Sequence, residues 1–196
     1  TLASGNDVLG NYIGTNAAGT GDLGNGVEGV RINDAADNSI GGTTAAARNI
    51  ISGNGYDGII ISNGASGNTV QGNYIGVSTT GSADLGNYLN GVIVYNSPAN
   101  TVGGTITAER NVISGNGANG VQVREADSSG NIVHGNYIGT NAAGTAALGN
   151  DDKGILLSDG GHDNVVGSPT GTTPGGACGG QHRQAVGAGP DRRQLR

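Results

Sequence analysis

A chain of 196 residues with 41 glycines, six tyrosines and no Phe, Trp or Met must build its core from Val, Ile, Leu and Ala. The formal charge of −6, with Lys153 the only lysine and no basic stripe, argues against a nucleic-acid surface. Apolar runs of only a few residues exclude a membrane-spanning helix. Glycine this frequent also suits a disordered chain, but here it accompanies regularly spaced Val and Ile, which disorder does not require. The single Cys178 can form no internal disulfide, so cysteine carries no redox argument. Residues Thr1 to Gly10 show no initiator Met and no basic or apolar segment of a signal peptide, so one is expected only in a longer parent chain.

From the first residues onward the chain repeats itself. "GNDVLGNYIG" (Gly5 to Gly14) returns as "GNTVQGNYIG" (Gly67 to Gly76) and "GNIVHGNYIG" (Gly130 to Gly139). Asn11, Asn73 and Asn136 hold the same place, giving periods of 62 and 63 residues. "GGTTAAARNIISGNG" from Gly41 matches "GGTITAERNVISGNG" from Gly103. Each long unit divides again, because a short strand of type G-V/I-x-I/V/L begins at Gly29, Gly58, Gly91, Gly120 and Gly154, in steps of 29, 33, 29 and 34 residues. Two further strands fall within each step. One begins N-x-I/V at Asn38, Asn68, Asn100, Asn131 and Asn164. The other reads N-I/V-I or N-Y-I at Asn49, Asn73, Asn111 and Asn136.

The alternation predicts which side chains turn inward. Val30 and Ile32 share one face and Arg31 the other; Val121 and Val123 do the same around Gln122. No segment carries apolar residues at helical spacing over three turns. Three short strands per step cannot bury themselves as one turn, but stacked in register they place Val and Ile columns on a common interior. The reading is therefore all-β: a parallel β-helix of five to six coils with three short strands per coil, rising about 4.8 Å per coil. Strand twist makes the expected connection right-handed. Insertions alternate between two corners, each enlarged on every second coil. Asparagines at the strand starts are expected to hydrogen-bond to their copies above and below, as ladders along two corners.

Motifs that suggest chemistry dissolve into this pattern. G-x-G-x-x-G occurs at Gly53, Gly55 and Gly58 and again at Gly115, Gly117 and Gly120. A dinucleotide site needs a helix after the glycines. Here "VQV" follows Gly120, so the glycines read as tight corners. "DGGHDN" (Asp159 to Asn164) occurs once and reads as a turn, not as a calcium repeat. The outward positions of the G-V/I-x-I strand are Arg31 and Asn33, Ile60 and Ser62, Ile93 and Tyr95, Gln122 and Arg124, and Leu156 and Ser158. None is acidic. Arg124, Glu125 and Asp127 form the densest charged cluster, with no matching carboxylate evident on a neighbouring coil, and read as a solvated corner. Arg48 and Arg110 repeat before Asn49 and Asn111, which points to bonding with turn carbonyls. No catalytic residue, metal site or cofactor is expected.

Tyr12, Tyr74 and Tyr137 are the middle residues of N-Y-I and recur on every second coil, about 9–10 Å apart by strand spacing. Aromatic faces at that spacing suit stacking on a glycan. The favoured alternative has the adjacent long loops folding over the rings, since the coils between carry Ile50 and Val112 and an apolar column wants cover. Tyr95 with Arg124 is a separate candidate for sugar contact.

The units "GNYIGT", "RNVISGNG" and "GGTTAAARN" resemble those of right-handed parallel β-helix repeat proteins of the pectate-lyase-like group, in particular large secreted bacterial repeat proteins. The resemblance covers residues 5 to about 173. It implies an extracellular or cell-surface location, flanking repeats of a longer chain, and a polysaccharide or cell-surface glycan as partner. It also implies two function classes, since the superfamily includes polysaccharide lyases, hydrolases and epimerases as well as adhesins and surface proteins. Nearly identical coils without a clustered polar site favour a non-catalytic structural or adhesive module. A lyase or glycosidase would need acids and a base converging from neighbouring coils. Ice binding would need a flat outward column of Thr, and Thr does not recur on one face.

The repeat ends near Gly171. Residues 1–174, read as the β-helix domain, hold five basic and fourteen acidic side chains. Residues 175–196 hold four arginines against Asp191 and lose the Val/Ile pattern, so they read as an irregular basic tail without a stacked coil.

Overall fold

The computed structural model describes residues 3–167, so the expectation for residues 175–196 lies outside the described residues. Strands of two to four residues are all that this sequence permits, because glycine or asparagine corners interrupt every apolar run. The strands form three parallel sheets, and the chain visits each sheet once per turn. The first sheet stacks Asp7–Val8, Ser39–Gly41, Thr69–Gln71, Thr101–Gly103, Ile132–His134 and Val165–Val166. The second stacks Tyr12–Ile13, Ile50–Ile51, Tyr74–Ile75, Val112–Ile113 and Tyr137–Ile138. The third stacks Val30–Asn33, Ile59–Ser62, Val92–Tyr95, Val121–Arg124 and Ile155–Ser158. This is the all-β parallel solenoid that the repeats predict, with about five turns.

Register puts like on like. Ile32, Ile61, Val94, Val123 and Leu157 form one inward column of the third sheet, with Val30, Ile59, Val92, Val121 and Ile155 beside it. Ile40, Val70, Val102 and Val133 line the first sheet and Ile51, Ile75 and Ile113 the second, and together these residues make one continuous core. Each fully buried Val or Ile contributes on the order of 1.5–3 kcal/mol. The small, β-branched side chains suit a narrow interior that Phe or Trp would overfill. Arg31 is exposed on the outer face, as the alternation requires.

The corners hold most of the buried polarity. Three asparagine ladders run the length of the solenoid: Asn6, Asn38, Asn68, Asn100, Asn131 and Asn164; Asn11, Asn49, Asn73, Asn111 and Asn136; and Asn25, Asn54, Asn87, Asn116 and Asn150. At every rung the backbone N–H and the Nδ2 of one asparagine both donate to the Oδ1 of the next, at 2.7–3.4 Å. The sequence reading anticipated two ladders. The third lies beyond that expectation because its asparagines do not begin a strand; they sit in the "SGNG" and "LGN" corners before the third sheet.

A left-handed residue sets up the first ladder. Gly5, Asp37, Gly67, Ala99, Gly130 and Asp163 immediately precede its asparagines, and all have φ between 54 and 68°. Ala99 alone is neither glycine nor Asx. The glycine motif at Gly115, Gly117 and Gly120 is likewise structural. Gly115 has φ of 74°, and a Cβ on Gly120 would stand 2.7 Å from Ile138 Cγ2 and from the Gly154 carbonyl. The strand Val121–Arg124 follows at once, with no helix to receive a pyrophosphate.

The insertions alternate as expected. On one set of coils, long loops close with antiparallel bridges at Thr15 to Asp22, Val77 to Asp84 and Thr140 to Ala147. On the other set, 3₁₀ turns Ala45–Ala47 and Thr107–Glu109 fill a different corner. The long loops touch one another across the intervening coil: the Thr79 N–H donates to the Gly19 carbonyl and the Ala142 N–H to the Gly81 carbonyl, both at 2.8 Å.

Two stability predictions follow from the corners. Asn73→Ala strands the buried Asn49 N–H and Nδ2, and it should lower unfolding free energy by about 3 kcal/mol in urea denaturation. Ala99→Gly relieves a left-handed alanine, and the same measurement should show a gain of about 0.5–1 kcal/mol.

Candidate functional site

The structure splits the five sequence-predicted site residues into two groups on different sheets. Tyr12, Tyr74 and Tyr137 lie in one outward column of the second sheet, alternating with Ile50 and Val112. Tyr95 and Arg124 pair directly in register on the third sheet.

In the tyrosine column the rings are engaged by the fold itself. The Arg48 guanidinium lies over the Tyr74 ring at 4.2 Å from its centre, and Arg48 Nε donates to the Gly72 carbonyl at 3.2 Å. Arg110 repeats this on Tyr137 at 4.0 Å, with Nε donating to the Gly135 carbonyl at 3.1 Å. The two arginines thus bond to turn carbonyls, as their repetition suggested, and also stack on the rings. Such a partly desolvated stack is worth about 1–2 kcal/mol. The long loops press on the ring edges, so that a Cβ on Gly81 or Gly144 would come within about 3.0 Å of Tyr74 or Tyr137. Loop cover is therefore what the structure shows for these two rings. Tyr12 differs. It is 48% exposed, its hydroxyl meets Thr79 Oγ1 at 3.3 Å, and no described arginine stacks on it.

On the third sheet the Arg124 guanidinium stands 5.5 Å from the Tyr95 ring centre. Arg124 also pairs with Glu125 Oε1 at 3.1 Å and lies 3.5 Å from Asp159 Oδ2. The cluster thus draws a carboxylate from the neighbouring coil, which corrects the sequence reading. Asp159 stacks above Glu125 because Arg124 is in register with Ser158. That relation depends on a 34-residue step, which proximity in sequence does not display. Beyond Tyr95 the corner opens into a depression lined by Asn63, Asn96, Pro98, Asp127, Ser129 and His162. Two amides, a hydroxyl, a carboxylate and an imidazole line this open, polar hollow, chemistry that suits a hydroxyl-bearing ligand. Asp159, Gly160 and Asp163 all have positive φ, so "DGGHDN" is a turn. Among the described residues no group of three His, Cys, Asp or Glu side chains is placed to hold a metal ion.

The sequence reading missed the position just before each G-V/I-x-I glycine, where Glu28, Asp57, Asn90, Asn119 and Lys153 stack. Asp57 is only 6% exposed, and its Oδ1 accepts from Asn90 N–H at 3.0 Å and from Asn90 Nδ2 at 2.8 Å. Asn90 Oδ1 accepts from Asn119 in the same way, so this short ladder runs opposite to the other three. Burial pushes the Asp57 carboxyl above its ordinary value, against the Asn90 hydrogen bonds; the charge of Glu28 adds to the rise and that of Arg31 opposes it. Arg31 neutralises Glu28 directly at 2.5 Å. Exposed Tyr56 and Tyr88 flank the column on adjacent coils. A stacked position that mixes acid, amide and base is legible only after the coils are aligned.

Comparison with protein-family models, curated proteins and solved structures found no match to this chain.

The raised Asp57 pKa makes the native state bind more protons than the unfolded chain above pH 3.8, so the group costs stability as pH rises through its folded pKa. Asp57→Asn keeps the Oδ1 acceptor without the buried charge. Thermal melts should show a higher Tm than wild type at pH 7, with the difference vanishing below about pH 4.

Proposed function

We propose that the chain is a non-catalytic structural or adhesive module of a larger secreted or cell-surface protein of the bacterial parallel β-helix repeat type, with a glycan as partner. One observation carries this reading: the side chains that recur most are committed to coil-to-coil bonding. The asparagines spend both backbone and side-chain donors on their ladders, and Arg48 and Arg110 are spent on Tyr74 and Tyr137. Groups held this way stiffen a rod but are not free to act on a substrate. The glycan-facing place is the Tyr95–Arg124 pair with the corner depression that follows Tyr95 in the chain, where an aromatic ring, a guanidinium and polar side chains stand at the outer surface.

A second reading, cleavage of a uronate-type polymer as by a lyase, hydrolase or epimerase, draws support from Asp57. Burial holds this carboxyl above its ordinary pKa, and the charge of a second carboxylate, Glu28, acts on it; paired carboxyl groups are what glycosidic cleavage uses.

Screening on a glycan array, with turnover assayed on polyuronates, separates the two. Retention of an oligosaccharide that falls at least tenfold in Tyr95→Ala and Arg124→Ala, with no product formed, is the expected result. Unsaturated or hydrolysed product that disappears in Asp57→Asn overturns the non-catalytic reading.

A further inference from the structure

We infer that Asn63–Gly64 is a self-modifying corner, where the Gly64 nitrogen converts Asn63 to aspartate and isoaspartate and so adds a negative charge to the hollow that Asn63 lines. The inference is independent of glycan binding, and water is the only co-reactant. Asn-Gly occurs six times, at Asn25, Asn54, Asn63, Asn90, Asn116 and Asn119. Glycine hinders attack by its own nitrogen least, and asparagine is among the heat-labile side chains. In an open chain the six pairs are alike; the fold separates them.

Four pairs are locked. Asn54, Asn90, Asn116 and Asn119 are buried, and each donates both its backbone N–H and its Nδ2 to a side-chain oxygen of an adjacent coil. A Cβ on Gly55, Gly91, Gly117 or Gly120 would stand closer than 3.0 Å to a neighbouring coil, so these peptides have no room to turn. Asn25 is tied to Asn54 Oδ1 by the same two donors, although Gly26 itself is open.

Asn63 stands outside the ladders. It and Gly64 are exposed at the corner that follows Ile59–Ser62. Its Nδ2 makes one bond, to Asn33 Oδ1 at 2.7 Å, on the exposed surface. A Cβ on Gly64 would meet nothing within 4 Å. One contact holds the attacking nitrogen: the Gly64 N–H donates to the Asn96 carbonyl at 2.8 Å. Once that bond opens and the nitrogen gives its proton to solvent base, its lone pair adds to Asn63 Cγ. The new N–Cγ bond closes a succinimide ring, the Cγ–Nδ2 bond breaks, and Nδ2 takes up a proton and leaves as ammonia. Water then opens the ring at Cγ, giving aspartate, or at the Asn63 carbonyl carbon, giving isoaspartate. One water is consumed and one ammonia released.

The fold already displays the aspartate product. Asp34, Asn63, Asn96, Glu125 and Asp159 are copies of this corner, all with φ between 48 and 75°, and three of them are carboxylates. Asp159–Gly160 has φ of 52 and 90°, against 59 and 85° for Asn63–Gly64, so an aspartate–glycine pair takes the same backbone. The new carboxylate would join Asp127 and His162 around the hollow.

The experiment incubates the 196-residue chain in mildly alkaline buffer made with 18O-labelled water, followed by peptide mass spectrometry that separates aspartate from isoaspartate. Asn63 should be the first of the six to convert, at least tenfold faster than Asn54, Asn90, Asn116 and Asn119. Its product should carry one 18O and contain both isomers. In urea the six rates should converge. Earlier conversion of any other pair, a tenfold gap that persists in urea, or aspartate without isoaspartate overturns the inference.

Discussion

The asparagine amide in a solenoid corner solves a problem that each turn of the chain poses again. A sharp corner leaves backbone N–H and C=O groups pointing inward, away from water, where each unmet group costs about 1–3 kcal/mol. An asparagine there offers one acceptor and two donors. Its Oδ1 takes two N–H groups from the coil before, while its Nδ2 donates to the coil after and to a buried carbonyl, as Asn73 does with Ile40 and Asn100 with Ala65. Because the bond runs from copy to copy, it is made only when the coils are in register. The ladders therefore fix the register that the apolar columns alone, built from interchangeable Val and Ile, would leave loose.

The rest of the architecture follows from that fixed register. With strands locked one above another, insertions must leave at the corners, and bulky ones need two coil heights of room. The long loops accordingly fall on alternate coils and hydrogen-bond across the gap. Tyr74 and Tyr137 beneath them are covered by loop on one side and by an arginine from the preceding coil on the other. A residue type that looks exposed and aromatic in the sequence becomes part of the packing between coils.

Two places bring charge into this coil-to-coil bonding. At the Tyr95–Arg124 corner, a ring, a guanidinium and two carboxylates pack together, and an open polar hollow lies at the turn that follows Tyr95. At the Glu28–Asp57 column, a carboxyl is held in a place that disfavours its charge. Both lie along the third sheet, whose four-residue strands are the longest in the solenoid and so expose the widest outward face.

The sequence by itself determined the solenoid. The 62-residue period, its subdivision into three strands and the inward Val and Ile positions were all legible, because local alternation and turn residues recur in a fixed order. It also showed the corner glycines to be structural, since a strand pattern follows them. The asparagines of the third ladder recur equally in "SGNG" and "LGN", but no strand begins at them to mark their role. The sites were less legible, for a physical reason. Which side chains meet depends on register across steps of about thirty residues, and only stacking brought Asp159 to Arg124, Arg48 to Tyr74 and Glu28 to Asp57. Tertiary structure also decided exposure. The same Asn-Tyr-Ile motif carries a stacked arginine at Tyr74 and Tyr137 and no described one at the more exposed Tyr12, because the arginine comes from a neighbouring coil and not from the motif.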